Sequence, residues 1–123
     1  MLLGAACALA GCGVTQRDEV HAKVEQFAHA TASRDYQALC QQVLAPSLVQ
    51  RLADAGVTCQ QAMKVFLQSV QNPTLSIARI TIKGKTAAAL VLSSATGQQA
   101  ALASVALIDT PHGWRLTSLV SPR

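Results

Sequence analysis

At Asn72-Pro73 the hydrophobic pattern of this chain changes period, and that change leaves few architectures open. Upstream, apolar residues recur at the three- and four-residue spacing of helices that bury one face. Downstream they alternate, as in strands with one face turned to a core. Helices first and strands second describe an α+β fold, with N-terminal helices packed on one face of a four-stranded antiparallel sheet.

The helical half divides at its punctuation. Val20, Val24, Phe27, Ala28 and Thr31 share one face of a helix over 18–32, with Asp18 and Glu19 in the first turn, where the helix dipole favours negative charge. Ser33-Arg34-Asp35 breaks that pattern. Tyr36, Leu39, Cys40 and Val43 then predict a short second helix ending before Pro46. Pro46 opens a third helix with Leu48, Val49 and Leu52 inward, and Gly56 stops it. Thr58 and Gln61 match a capping box, and Ala62, Met63, Phe66 and Val70 give the fourth helix its apolar stripe.

Four strands are expected after Pro73: 75–83, 86–94, 101–108 and 114–120. In the first, the alternation slips between Ile77 and Ile80, which predicts a bulge or bend. Gly84-Lys85 forms a tight turn, 95–99 a loop containing Gly97, and Pro111-His112-Gly113 the last turn.

A length of 123 residues fits one domain, and a 50% hydrophobic content is too high for a disordered chain. Aromatic residues make up only 3%, which argues against an aromatic cage or a base-stacking platform. No apolar run approaches the roughly 20 residues of a spanning helix.

The N-terminus reads as a processing signal. Leu2 to Ala10 is apolar and uncharged, the length of a signal-peptide core, and it ends in Leu9-Ala10-Gly11-Cys12. This resembles the lipobox of bacterial lipoproteins: small residues let the chain lie extended in a peptidase groove, and the Cys12 thiol takes a diacylglycerol. Ordinary secretory cleavage after Ala10 and a buried apolar segment are the competing readings. Lipidation of Cys12 and loss of Cys7 leave Cys40 and Cys59 as an even pair, whereas cleavage after Ala10 strands Cys12 as an odd thiol. Against the signal, no Lys or Arg precedes the apolar run, so the true start would lie upstream. The expected organisation is a signal peptide over 1–11, a lipidated Cys12 with a short tether over 12–16, and a folded domain over 17–123. Such a protein sits on the extracytoplasmic face of a cell membrane, held by its lipid.

Several segments also carry a family likeness. Val24-Glu25-Gln26-Phe27, Ser33-Arg34-Asp35-Tyr36, Leu39-Cys40, Gly56-Val57-Thr58-Cys59 with Ala62, Ile82-Lys83-Gly84-Lys85-Thr86-Ala87 and Gly113-Trp114-Arg115-Leu116 follow helices-then-sheet order. Over roughly 17–120 the chain resembles small actinobacterial envelope lipoproteins of the NTF2-like superfamily, which includes SnoaL-type and ketosteroid-isomerase-type proteins. It departs where similar chains often carry a further Cys after the last strand; Leu119-Val120-Ser121 has none. The resemblance implies a curved sheet closing a cone-shaped cavity, with Tyr36, Phe66 and Trp114 as possible cavity residues.

Cys40 and Cys59, with eighteen residues between them, are expected to form a disulfide in an exported protein; two buried thiols are the alternative. His21, Glu25 and His29 lie four apart on one helix flank, but the outer pair are roughly 12 Å apart, too far for one ion. No metal or other cofactor is expected. Isomerases of the superfamily resemble a cone lined by a general base and hydrogen-bond donors. Here the carboxylates Asp18, Glu19, Glu25, Asp35, Asp54 and Asp109 all fall on helices, turns or strand ends. The expected role is therefore a non-catalytic binding module for a partner protein or a small apolar ligand. The alternative, an isomerase- or hydrolase-like enzyme, needs Asp109 or Asp35 facing inward near Tyr36 or a histidine. Lys64, Arg79, Lys83, Lys85, Arg115 and Arg123 face Asp109 alone after residue 63, so the sheet side is either a solubilising surface or one that lies on anionic headgroups. Export and the scattered cations argue against nucleic acid.

Overall fold

The computed structural model describes residues 15–118. Helix α1 (Gln16–Ser33) is followed by α2 (Tyr36–Ala38), a π-helical turn (Leu39–Val43), α3 (Pro46–Asp54) and α4 (Cys59–Leu67). Strands β1 (Thr74–Lys83), β2 (Thr86–Ala95), β3 (Gln98–Thr110) and β4 (Gly113–Leu116) then form one antiparallel sheet in the order β1-β2-β3-β4. The α+β architecture with its helices N-terminal to the strands is the one the change of period requires. The lipobox and the proposed signal peptide lie outside the described residues, as does the end of the expected last strand.

Helix α1 begins two residues before Asp18. Thr15 caps it: its hydroxyl accepts from Asp18 N at 3.1 Å, and the Asp18 carboxylate accepts from Thr15 N at 3.3 Å. Part of the expected tether is therefore already cap and helix. Val20, Val24, Phe27, Ala30 and Thr31 are buried, so Ala30 takes the place expected for the half-buried Ala28. The helix ends at Arg34 in the left-handed conformation (φ 55°), whose N–H reaches the carbonyls of Ala30 and Thr31.

The second helix differs most from expectation. Its first turn is α-helical, with the Asp35 carboxylate capping Ala38 N at 3.0 Å, but it then widens into the π-helical turn. Leu39 and Val43 stay buried, and Leu44 and Ala45 run on to meet β4: Leu44 bridges Leu116, and Ala45 N donates to Leu116 O at 2.8 Å. One extra residue in the turn lets both the helical stripe and this bridge be satisfied. Helix α3 starts at Pro46 and stops before Gly56 (φ 84°), yet Leu48, Val49 and Leu52 are only half-buried. The Cys40–Cys59 disulfide ties the π-helical turn to the start of α4, where Thr58 Oγ1 accepts from Gln61 N at 3.2 Å, the N-cap half of the expected capping box without the return bond from the Gln61 side chain.

The β1–β2 register shifts between Ile77 and Arg79, where the alternation slips. Ile80, Ala87, Ala89, Val91, Val105, Leu107, Trp114 and Leu116 project from the sheet into the core formed with α1, the π-helical turn and α4. Two strands depart from expectation. The β2–β3 connection is only Thr96-Gly97, so β3 starts at Gln98 and runs to Thr110, and β4 ends at Leu116. Beyond Leu116, Thr117 N donates to Ala106 O and the Ser118 hydroxyl accepts from Ala106 N, which bends the chain out of the regular ladder.

An apolar cleft at one end of the helix–sheet sandwich

Helix α1 runs antiparallel to β1. Near its start Arg17 donates to Ile80 O at 2.6 Å, and just past its end the Arg34 guanidinium donates to Val70 O, ahead of β1. The C-terminal half of α1 therefore lies over the end of the sheet where β1 begins and the β2–β3 hairpin turns. There the helices and the sheet diverge, leaving a cleft of about 60 Å³.

Phe27, Ala28 and Thr31 of α1 line one wall, Phe66, Leu67 and Val70 a second, and Leu75 with the ends of β2 and β3 the floor. The rim is tied by side chains that cross the chain's own turns. Asn72 Nδ2 donates to Thr96 Oγ1 at 3.0 Å, Thr96 N donates to Gln71 O at 2.8 Å, and the Thr74 and Ser94 hydroxyls lie 2.6 Å apart. Asn72 adopts φ 49°, a left-handed kink that an asparagine tolerates better than most residues. Every lining residue is uncharged. Thr31 is 8% exposed, and its hydroxyl is buried without a hydrogen-bond partner.

Of the possible cavity residues, Phe66 lines this cleft. Tyr36 is half-buried against the core, with the Lys64 ammonium 6.0 Å from its ring centroid. Trp114 is buried in the core, its Nε1 without a partner. Asp35 is spent on the α2 cap, and Asp109 lies eight residues along β3 from Ala101, roughly 26 Å away along an extended strand. His21 and Glu25 form an exposed contact, Nδ1 to Oε1 at 3.5 Å. Among the described residues no three His, Cys, Asp or Glu side chains converge as a metal site, and no helix is long and apolar enough to cross a membrane.

A second polar cluster lies along the edge strand β4. Lys23 Nζ donates to Gln42 O at 2.9 Å and to Gln26 Oε1 at 2.8 Å, while Arg115 Nη1 donates to Gln41 O at 2.8 Å. Burial, and then the nearby Arg115 guanidinium, pull Lys23 below the ordinary lysine pKa. Both cations are engaged by backbone carbonyls where the π-helical turn ends, a location that favours positive charge.

Phe27 and Leu75, central to the cleft, come from parts of the chain almost fifty residues apart; the helical stripe marked Phe27 as core without showing that the core opens there. Comparison with protein-family models, with curated proteins and with solved structures finds no match to this chain.

Proposed function

We propose that this protein is a lipid-anchored, extracytoplasmic binding module of NTF2-like type, in which the open end of a helix–sheet cone receives a small apolar group. The observation that carries the binding role is the cleft: apolar walls from two helices and a sheet end, and a lining without a carboxylate, histidine or cysteine. General acid–base or nucleophilic catalysis needs such a group within hydrogen-bond reach of the reacting atoms, so the isomerase- or hydrolase-like alternative draws no support from this lining.

Size narrows the occupant. Sites for drug-sized ligands span roughly 300–1,000 Å³. A space of about 60 Å³ suits a partner's aliphatic or aromatic side chain, or the end of an alkyl chain. Attachment to the membrane rests on Leu9-Ala10-Gly11-Cys12, and the disulfide accords with an oxidising compartment. Fifteen helical residues separate Gln16 from Thr31, roughly 22 Å, so a tether at the N-terminal end leaves the cleft clear of its attachment point.

Two experiments test this reading. Cells fed labelled palmitate should mark the protein, and Cys12→Ala should abolish the mark and release the chain from membranes; a labelled Cys12→Ala protein refutes the anchor. Ala28→Trp plugs the cleft from α1. It should remove the chemical-shift changes that a short-chain alkanol causes at Phe27, Phe66 and Leu75 without altering the far-ultraviolet circular dichroism, and unchanged alkanol binding places the apolar site elsewhere.

A further inference from the structure

Helix α1 and the core lie on one face of the sheet, and the other face carries exposed aliphatic side chains. Outward positions follow from the register: Leu92 lies directly opposite Leu102, Leu90 opposite Ser104, and Ile108 opposite Thr86. Leu92 is 43% exposed, Leu102 65% and Ile108 36%. Leu92 and Leu102 adjoin across the strands, Leu90 is half-buried, and Ile108 stands six residues along β3 from Leu102; adjoining exposed aliphatic side chains mark a contact site better than isolated ones do. Along β1 the same face carries cations: Arg79 pairs with Leu90, and Lys83 pairs with Thr86. No Asp or Glu occupies an outward position of β1, β2 or β3; Asp109, the sheet's one acid among the described residues, alternates to the Trp114 side.

We infer that this outer sheet face lies on an anionic lipid surface, with Leu90, Leu92, Leu102 and Ile108 against the interface and Arg79 and Lys83 over lipid phosphates. The inference rests on the reading of the protein as exported and lipid-anchored.

Charge favours an anionic bilayer over a second copy of this chain. A second copy stacked on this face brings the same cations and no acids to meet them. On a lipid surface the anchor already holds the face at high effective concentration, and each added contact acts within one molecule. The Lys83-Gly84-Lys85 hairpin also lies at the end of the sheet where α1 starts, so a tether leaves the fold beside cations.

The test uses the full chain carrying Cys12→Ser, so that partitioning reports the face and not an acyl chain. Vesicles of phosphatidylcholine alone are compared with vesicles containing phosphatidylglycerol, at low salt, by flotation. Binding should require phosphatidylglycerol and fall about fivefold for Arg79→Gln or for Lys83→Gln, roughly 25-fold for both, as expected for basic residues close to an anionic surface. Leu92→Ser/Leu102→Ser should weaken it as well, whereas Arg51→Gln, in α3, should not. Equal binding to both vesicle types, or no loss in the sheet-face variants, overturns the inference. So does a dimer in light scattering that Leu102→Asp converts to monomer. Palmitate labelling of the wild-type chain is read separately: a labelled protein whose Cys12→Ser form ignores phosphatidylglycerol keeps its anchor and loses the docking face, while an unlabelled one that binds through the face does the reverse.

Discussion

Reduction of the Cys40–Cys59 bridge should destabilise one part of the molecule before the rest. The bridge spans 19 residues of sequence, for which loop closure removes about 11 cal/mol/K of unfolded-chain entropy, about 3 kcal/mol at room temperature. That is a large share of a typical stability of about 5–15 kcal/mol. The enclosed segment contains α3, which has no fully buried residue, whereas α1 and α4 on the core carry several. With a urea dependence of about 1–3 kcal/mol per molar, reduction should lower the unfolding midpoint by about 1–3 M. Urea titrations followed by circular dichroism, with and without dithiothreitol and on the Cys40→Ser/Cys59→Ser variant, measure this directly. Amide exchange should rise first over 46–54, with Val20 and Val24 still protected. An unchanged midpoint in a sample whose two thiols titrate as free, with α3 equally protected, refutes the idea that the staple rather than the core holds this segment.

Other substitutions probe the cleft end and the β4 cluster. Thr31→Val replaces a buried, unpartnered hydroxyl by a methyl of like shape and should stabilise the protein by about 1–2 kcal/mol in thermal or urea unfolding; a loss of stability means that the hydroxyl is paired. Arg34→Ala removes the guanidinium from Val70 O while keeping the left-handed backbone, and should cost about 1–3 kcal/mol. Arg34→Gly loses the same bond but relieves the backbone, so it should melt at a higher temperature than Arg34→Ala. Lys23 has a native pKa below its ordinary value of 10.5, so between that lowered value and 10.5 the unfolded chain binds more protons and stability rises with pH. Lys23→Met should flatten that rise in urea midpoints measured across the alkaline range.

Local rules made much of this fold legible. The change of period at Asn72-Pro73, the caps at Thr58 and Gly56 and the slip between Ile77 and Ile80 all act over a few residues, and the chain obeys each of them. What escaped depends on distant partners. The π-helical turn leads directly into the Leu44–Leu116 bridge, a partner 72 residues away, and a stripe of Tyr36, Leu39, Cys40 and Val43 reads the same in an α-helix. Gln98 and Gln99 look like loop because they are polar, yet a two-residue turn at Thr96-Gly97 commits them to pairing with β2. The cleft was visible only as Phe66, since its other walls come from elements whose separation no periodicity records.

The two borders of the sheet are guarded differently. On one side, short β4 is roofed by Leu44 and Ala45. On the other, β1 is kinked at Ile77/Arg79, bears Arg79 and Lys83, and has its Ile80 carbonyl occupied by Arg17. A straight, uncharged border would offer a ready template for strands of neighbouring molecules. This one interrupts any growing ladder after a few residues, so crowding should leave the chain discrete instead of seeding fibrils.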